Sequence, residues 1–184
     1  MFYHASPTAK IKTLHPHTSN HNTPLIYFSE KRENTLVYLS NAVEKYCRET
    51  GFKHEGIWEK WATYGFKDGL LVLEEYYPNA AKSTYSGVSG YIYHAEKDGS
   101  FEPQTDIPYA FISRNSVKTV GCEYIPDAYE ALLSAAEKGQ IVIKPYESNS
   151  PQKLEWIRET VKKEYEAAEN HPEYRYFLKK HFEI

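Results

Sequence analysis

Leu25-Ile26-Tyr27-Phe28-Ser29 is the stretch on which the fold turns. Its first four residues are β-favouring and of strand length. Ser29, with Glu30 and Glu33 behind it, has the chemistry of a helix start. Leu36, Leu39, Val43 and Tyr46 then recur at three- and four-residue steps, one apolar face, and Gly51 supplies a stop. A strand running straight into a helix over 30–50 sets the expectation of an α+β fold. Toward the N-terminus, residues 1–5 form an apolar-aromatic strand closed by Ser6-Pro7. Lys10–Leu14 has room for one helical turn, and His15–Pro24 is a polar, proline-bounded loop.

In the other direction, Asp68-Gly69 marks a hairpin between two strands within Trp58–Tyr77. Val88–His94 is a further strand, with Tyr91 and Tyr93 on one face, and Glu96–Pro108 is a loop. Residues 109–113 and 117–125 alternate as strands do. Pro126 opens a helix that Gly139 closes, Ile141–Ile143 is a strand, and Ser150-Pro151 starts a last helix to about Asn170. The later helices are thus expected at 126–139 and 151–170.

Composition narrows the function. The 184 residues suit one domain, and 22 Lys+Arg against 25 Asp+Glu leave a net charge of −3. With a pI near 6.2 this is no basic nucleic-acid binder. Aromatic residues make up 15% of the chain, 17 of them tyrosines, enough ring area for a core. Cys47 and Cys122 stand outside any CxxC pattern and are expected to be small buried packing residues in a reducing, cytoplasmic setting. No apolar run approaches membrane-spanning length, so no membrane partner is expected, and the N-terminus lacks the features of a signal peptide. GxGxxG, GxxxxGK[ST] and GxSxG are all absent. His15, His17 and His21 are of metal-ligating type, but their loop holds no thiol or carboxylate, so no metal is expected.

Three features carry chemistry by their order. Tyr3-His4-Ala5-Ser6 ends the first strand; Tyr27 is followed by Tyr38, 11 positions later; Glu123 stands in Cys122-Glu123-Tyr124-Ile125, before a helix. This arrangement resembles the His-Tyr-Glu branch of the ADP-ribosyltransferases, the group of diphtheria toxin and the poly(ADP-ribose) polymerases. In that family the first strand carries Tyr/Trp-His-Gly-Thr/Ser, and Ala5 stands here for the glycine. The family's tyrosine strand matches Leu25–Ser29, its second tyrosine matches Tyr38, and its Glu-Tyr-Ile strand matches Glu123-Tyr124-Ile125.

The resemblance implies one ADP-ribosyltransferase-like domain over 1–184, with two small, mostly antiparallel sheets packed on each other, helices at their sides and NAD across the cleft. It implies that Tyr27 and Tyr38 sandwich the nicotinamide, that the Ala5 backbone clamps the carboxamide, that Ser6 is also among the cofactor-binding residues, and that His4 binds the adenosine ribose. Glu123 would hold the other ribose and stabilise an oxocarbenium-like state. The catalytic set is then Glu123, His4 and Tyr27, with Glu74, Glu75 and Glu147 as other candidate carboxylates. The activity implied is ADP-ribosyl transfer from NAD to an acceptor, protein among the options, or NAD hydrolysis. The other readings are a non-catalytic nucleotide-binding domain and a tyrosine-rich interaction domain. Alternation places Glu123 opposite Val120, Cys122 and Tyr124, whose apolar side is expected to be the core side.

Overall fold

A computed structural model describes residues 1–18, 23–54, 62–182 and 184. In chain order they form β1 (Phe2–Ser6), β2 (Thr13–Leu14), β3 (His17–Thr18), β4 (Pro24–Ser29), a 3₁₀ helix (Arg32–Leu39), α1 (Ala42–Thr50), β5 (Ala62–Lys67), β6 (Leu70–Glu75) and α2 (Ala80–Tyr85). There follow β7 (Gly90–Ala95), β8 (Glu102–Pro103), β9 (Ala110–Ser113), β10 (Val117–Lys118), β11 (Gly121–Ile125), α3 (Ala128–Glu137) and β12 (Ile141–Lys144). A short 3₁₀ turn (Tyr146–Ser148) leads into α4 (Pro151–Ala167) and α5 (Pro172–His181). The class is α+β. His21 and the part of the first hairpin strand before Ala62 lie outside the described residues.

The chain divides into two compact units, one of Met1–Leu39, Phe66–Leu71 and Gly87–Ile141, the other of Ser40–Gly65, Val72–Ser86 and Val142–Ile184. The first is built on a sheet of order β11–β7–β1–β4–β9–β8, to which β3 adds on β4, and a ribbon of β10 with β2. Pairings of β1 with β4 and β7, and of β7 with β11, are antiparallel. One sheet face carries Phe2, Ile26, Phe28, Tyr93 and Ala95, packed with Leu14. Tyr93 is buried there at no cost in hydrogen bonds: its hydroxyl donates to the Thr8 carbonyl at 2.7 Å and accepts from Ile11 N–H at 3.1 Å. The other face takes the 3₁₀ helix, which packs on β1, β7 and α3. The fit is close at Gly90, where a Cβ would come within 2.5 Å of Leu39 Cδ2.

The second unit carries most of a three-stranded sheet of order β12–β6–β5. Its core joins Val43, Tyr46 and Cys47 of α1 to Tyr77, Ile157, Val161, Phe177 and Leu178. Glu75 is buried, accepting Ala81 N–H at 2.9 Å and Tyr146 N–H at 3.3 Å, so its role is to tie backbone together.

Several sequence expectations hold. Asp68 (φ 52°) and Gly69 (φ 74°) make the hairpin turn, Gly51 ends its helix at φ 78°, and Ser150 caps α4 through Lys153 N–H. Others need correction. The helix expected over 30–50 is two helices, because β4 runs on through Ser29 by pairing with Ala110, and Asn41 supplies the cap, accepting from Val43 and Glu44 N–H. Ser29 Oγ instead accepts Lys31 N–H in a local turn. In place of the turn expected at Lys10–Leu14, Lys10 takes a left-handed backbone (φ 61°) and the chain bends at Lys12 into β2. α3 starts after Pro126, because Asp127 is the residue whose carboxylate reaches Tyr129 and Glu130 N–H. α2 and α5 lie outside the sequence expectations; each begins without a side-chain cap, and α2 has only six residues.

Candidate functional site

β1 pairs with β7 at every residue from Phe2↔Ala95 to Ser6↔Tyr91, whereas its register with β4 is the single pair Tyr3↔Ser29. Past Tyr3 the β4 side is met by a side chain. His4 Nδ1 lies 2.8 Å from the Tyr27 carbonyl oxygen. A carbonyl only accepts, so Nδ1 carries the proton and Nε2 is left as an acceptor. Burial draws the imidazole below its ordinary pKa, outweighing the Tyr27 bond, which acts the other way. His4 is therefore neutral at pH 7, with its ring 5.7 Å from that of Phe28.

Register and alternation fix the faces. Ala5, Ile92 and Glu123 are partners across β1, β7 and β11, and so stand in one row. Tyr27 has the parity of Ser29, the partner of Tyr3, which puts it on this face as well. At ~4.8 Å per strand, Ala5 and Glu123 are roughly 10 Å apart at Cα. His4 belongs to the opposite face, in the row of Tyr93 and Cys122, and Ser6 follows it there. Thus Ala5, Tyr27 and Glu123 share the face that the 3₁₀ helix covers, and His4 is joined to them through the Tyr27 carbonyl. Ala5 is not among the residues with positive φ, so its methyl sits in an ordinary strand. Tyr38 is 49% exposed near the end of the 3₁₀ helix, in the same three-residue row as Arg32 and Thr35.

The face assignment on β11 reverses the sequence expectation. Val120, Cys122 and Tyr124 are exposed, and Glu123 is half-buried on the covered side. β11 is an edge strand, and the covering helix lies on the Glu123 side, where an arginine neutralises the carboxylate. Cys122 is correspondingly exposed rather than a packing residue, unlike buried Cys47.

That arginine is Arg32. Its Nε donates to Glu123 Oε2 at 2.8 Å and its Nη2 to Oε1 at 2.6 Å, a two-point fork from the first residue of the 3₁₀ helix. The fork holds the Glu123 carboxyl below the usual carboxylate range against the opposing effect of burial, with further help from the Arg32 charge and from His94. A cavity of about 280 Å³ opens beside the pair, lined by Arg32, Glu33, Glu123, Ser134, Lys138 and Gln140 among others. Glu33 accepts from Gln140 Nε2 at 3.0 Å, which leaves Arg32 to Glu123. In the sequence, Arg32 was hidden in the Glu30–Glu33 charge cluster. Its partner lies 91 positions away, and no local pattern signals such a pair.

The other candidate carboxylates are otherwise engaged or placed. Glu74 is paired with Lys144 (2.8 Å) and Lys153 (3.6 Å), Glu75 is the buried tie described above, and Glu147 is exposed. His15 Nδ1 meets Ser116 Oγ at 2.9 Å, and among the described residues no group of three or more His, Cys, Asp or Glu is arranged to hold a metal. No helix among them is long and apolar enough to cross a membrane. Comparison with protein-family models, curated proteins and solved structures returns no match.

Proposed function

We propose that the protein cleaves NAD at the nicotinamide–ribose bond and passes the ADP-ribosyl group to an acceptor or to water. The observation that carries this reading is the shared row of Ala5 and Glu123, with Tyr27 on the same face. Ala5 and Glu123 stand two strands apart, roughly 10 Å at Cα, and Tyr27 is one strand beyond Ala5, so a backbone clamp, an aromatic ring and an ionised carboxylate share one sheet face. In the step itself the C1′–N bond breaks, and its electron pair leaves with nicotinamide. The acceptor oxygen or nitrogen bonds C1′, and its proton goes to solvent. Glu123 accepts the ribose 2′-hydroxyl and offsets the positive charge that builds on the ring. Tyr27 supplies a face for the nicotinamide, Tyr38 on the neighbouring helix a second, and Ala5 the backbone at its carboxamide. His4, neutral and with Nε2 as acceptor, takes a ribose hydroxyl of the adenosine half.

The test is to incubate the purified protein with NAD and follow free nicotinamide, with NAD affinity measured in parallel. Release supports the reading. Binding without release would instead favour a nucleotide-binding domain, and neither would favour an interaction domain.

A further inference from the structure

We infer that Arg32 is a positioning residue for Glu123, its guanidinium fork fixing the plane of the carboxylate and keeping it ionised toward the cavity beside α3. The inference rests on the reading of Glu123 as the group that meets the ribose. Glutamate on a strand samples several rotamers, and two N–H bonds to separate oxygens select one of them. A carboxylate has about four lone-pair sites, so two remain for a ribose hydroxyl while the fork stays closed. The fork is thus compatible with substrate, and Arg32 need not be displaced.

The charged and titratable groups around the carboxylate agree with this role. The 3₁₀ helix presents Arg32 and Glu33, and Glu33 is occupied by neutral Gln140. β7 presents His94, which stands one row from Glu123: a Cβ on Gly121 would come within 2.9 Å of its Nδ1. β1 presents Tyr3, edge-on to the His94 ring at 5.2 Å, and α3 presents Lys138 at the cavity wall. Of these, Arg32 alone hydrogen-bonds the carboxylate among the described residues. Lysine at position 32 would restore charge without the fork, which separates the two parts of the role.

The experiment compares wild type, Arg32→Gln, Arg32→Lys, Glu123→Gln and the Arg32→Gln/Glu123→Gln double variant. Two readouts are taken: nicotinamide release from NAD across pH, and the ¹³C carboxyl titration of Glu123, assigned by its loss in Glu123→Gln. Arg32→Gln is expected to lower kcat by about tenfold or more with KM for NAD changed less, since a misplaced group costs turnover before binding. Its Glu123 titration and the acid limb of its kcat profile should both move to higher pH. Arg32→Lys should keep the low titration and recover only part of kcat. On the Glu123→Gln background, Arg32→Gln should add no loss, as expected of a residue acting through Glu123. An unchanged Glu123 titration in Arg32→Gln, or an equal loss of rate on both backgrounds, overturns the inference. The reading of Glu123 fails separately, if Glu123→Gln releases nicotinamide at the wild-type rate.

Discussion

At Glu123 two effects oppose each other, and the fork from Arg32 outweighs burial, so the carboxyl is held below the usual carboxylate range. His4 shows the reverse balance: burial outweighs its bond to the Tyr27 carbonyl, and the ring stays neutral. Each state suits its proposed partner, a cationic ring for one and a hydroxyl donor for the other. His4→Ala removes the Nε2 acceptor and the tether to β4. We expect NAD affinity, measured by calorimetry, to fall by about tenfold, the scale of one good hydrogen bond. Stability should fall by only about 1 kcal/mol, because the ring is half-buried and makes one backbone bond. A large loss of stability with unchanged affinity would make His4 a packing residue.

Among the elements, the break between the 3₁₀ helix and α1 matters most, since it sets Arg32 and Tyr38 on a helix of three-residue period. Asn41→Ala removes both bonds that start α1 and should cost about 1 kcal/mol in urea denaturation, whereas Ser29→Ala, outside any cap, should cost less. Asp127→Ala should cost about 1–2 kcal/mol, because this carboxylate also accepts Gly87 N–H at 2.7 Å. These sites show how far the sequence could be read. Asp68-Gly69, Gly51 and Ser150-Pro151 announce their turns and caps because the signal is local. Ser29 misleads because its candidacy as a cap is also local, while pairing with β9 keeps it in a strand. The covered face of β11 was illegible for the same reason. Cys122 and Tyr124 point outward while Glu123 and Ile125 face inward, and that choice of face depends on a helix whose Arg32 lies 91 positions earlier. The order of His4, Tyr27, Tyr38 and Glu123 was visible. That His4 lies on the other face from Glu123, and that Arg32 joins the site, needed the strand register.

Over the whole molecule, acid acts through groups whose pKa the fold lowers. His181 packs against Tyr77 and Phe177, ring centroids 4.3 and 4.7 Å away, and burial lowers its pKa to about 4. The unfolded chain takes up this proton first, so the contribution of His181 is full above its unfolded value of 6.5 and is lost as pH falls toward 4. Glu74 and Glu123, both held below the usual range by their cationic partners, lose theirs at still lower pH. Thermal melts should therefore show stability falling between pH 7 and 4. His181→Gln should flatten the upper part of that fall by roughly 1–2 kcal/mol, allowing for solvent at the partly exposed ring. A parallel pH dependence in wild type and variant would assign the acid loss elsewhere. Chemistry is a separate matter from this stability. The most direct test of it is free nicotinamide released from NAD by wild type and by Glu123→Gln under identical conditions. Wild type is expected to release it, and Glu123→Gln to bind NAD while releasing it about 10²–10³ times more slowly, the scale of losing one preorganised electrostatic contact. Equal rates in the two proteins, or no release by wild type, would contradict an ADP-ribosyl-transfer site built on Glu123.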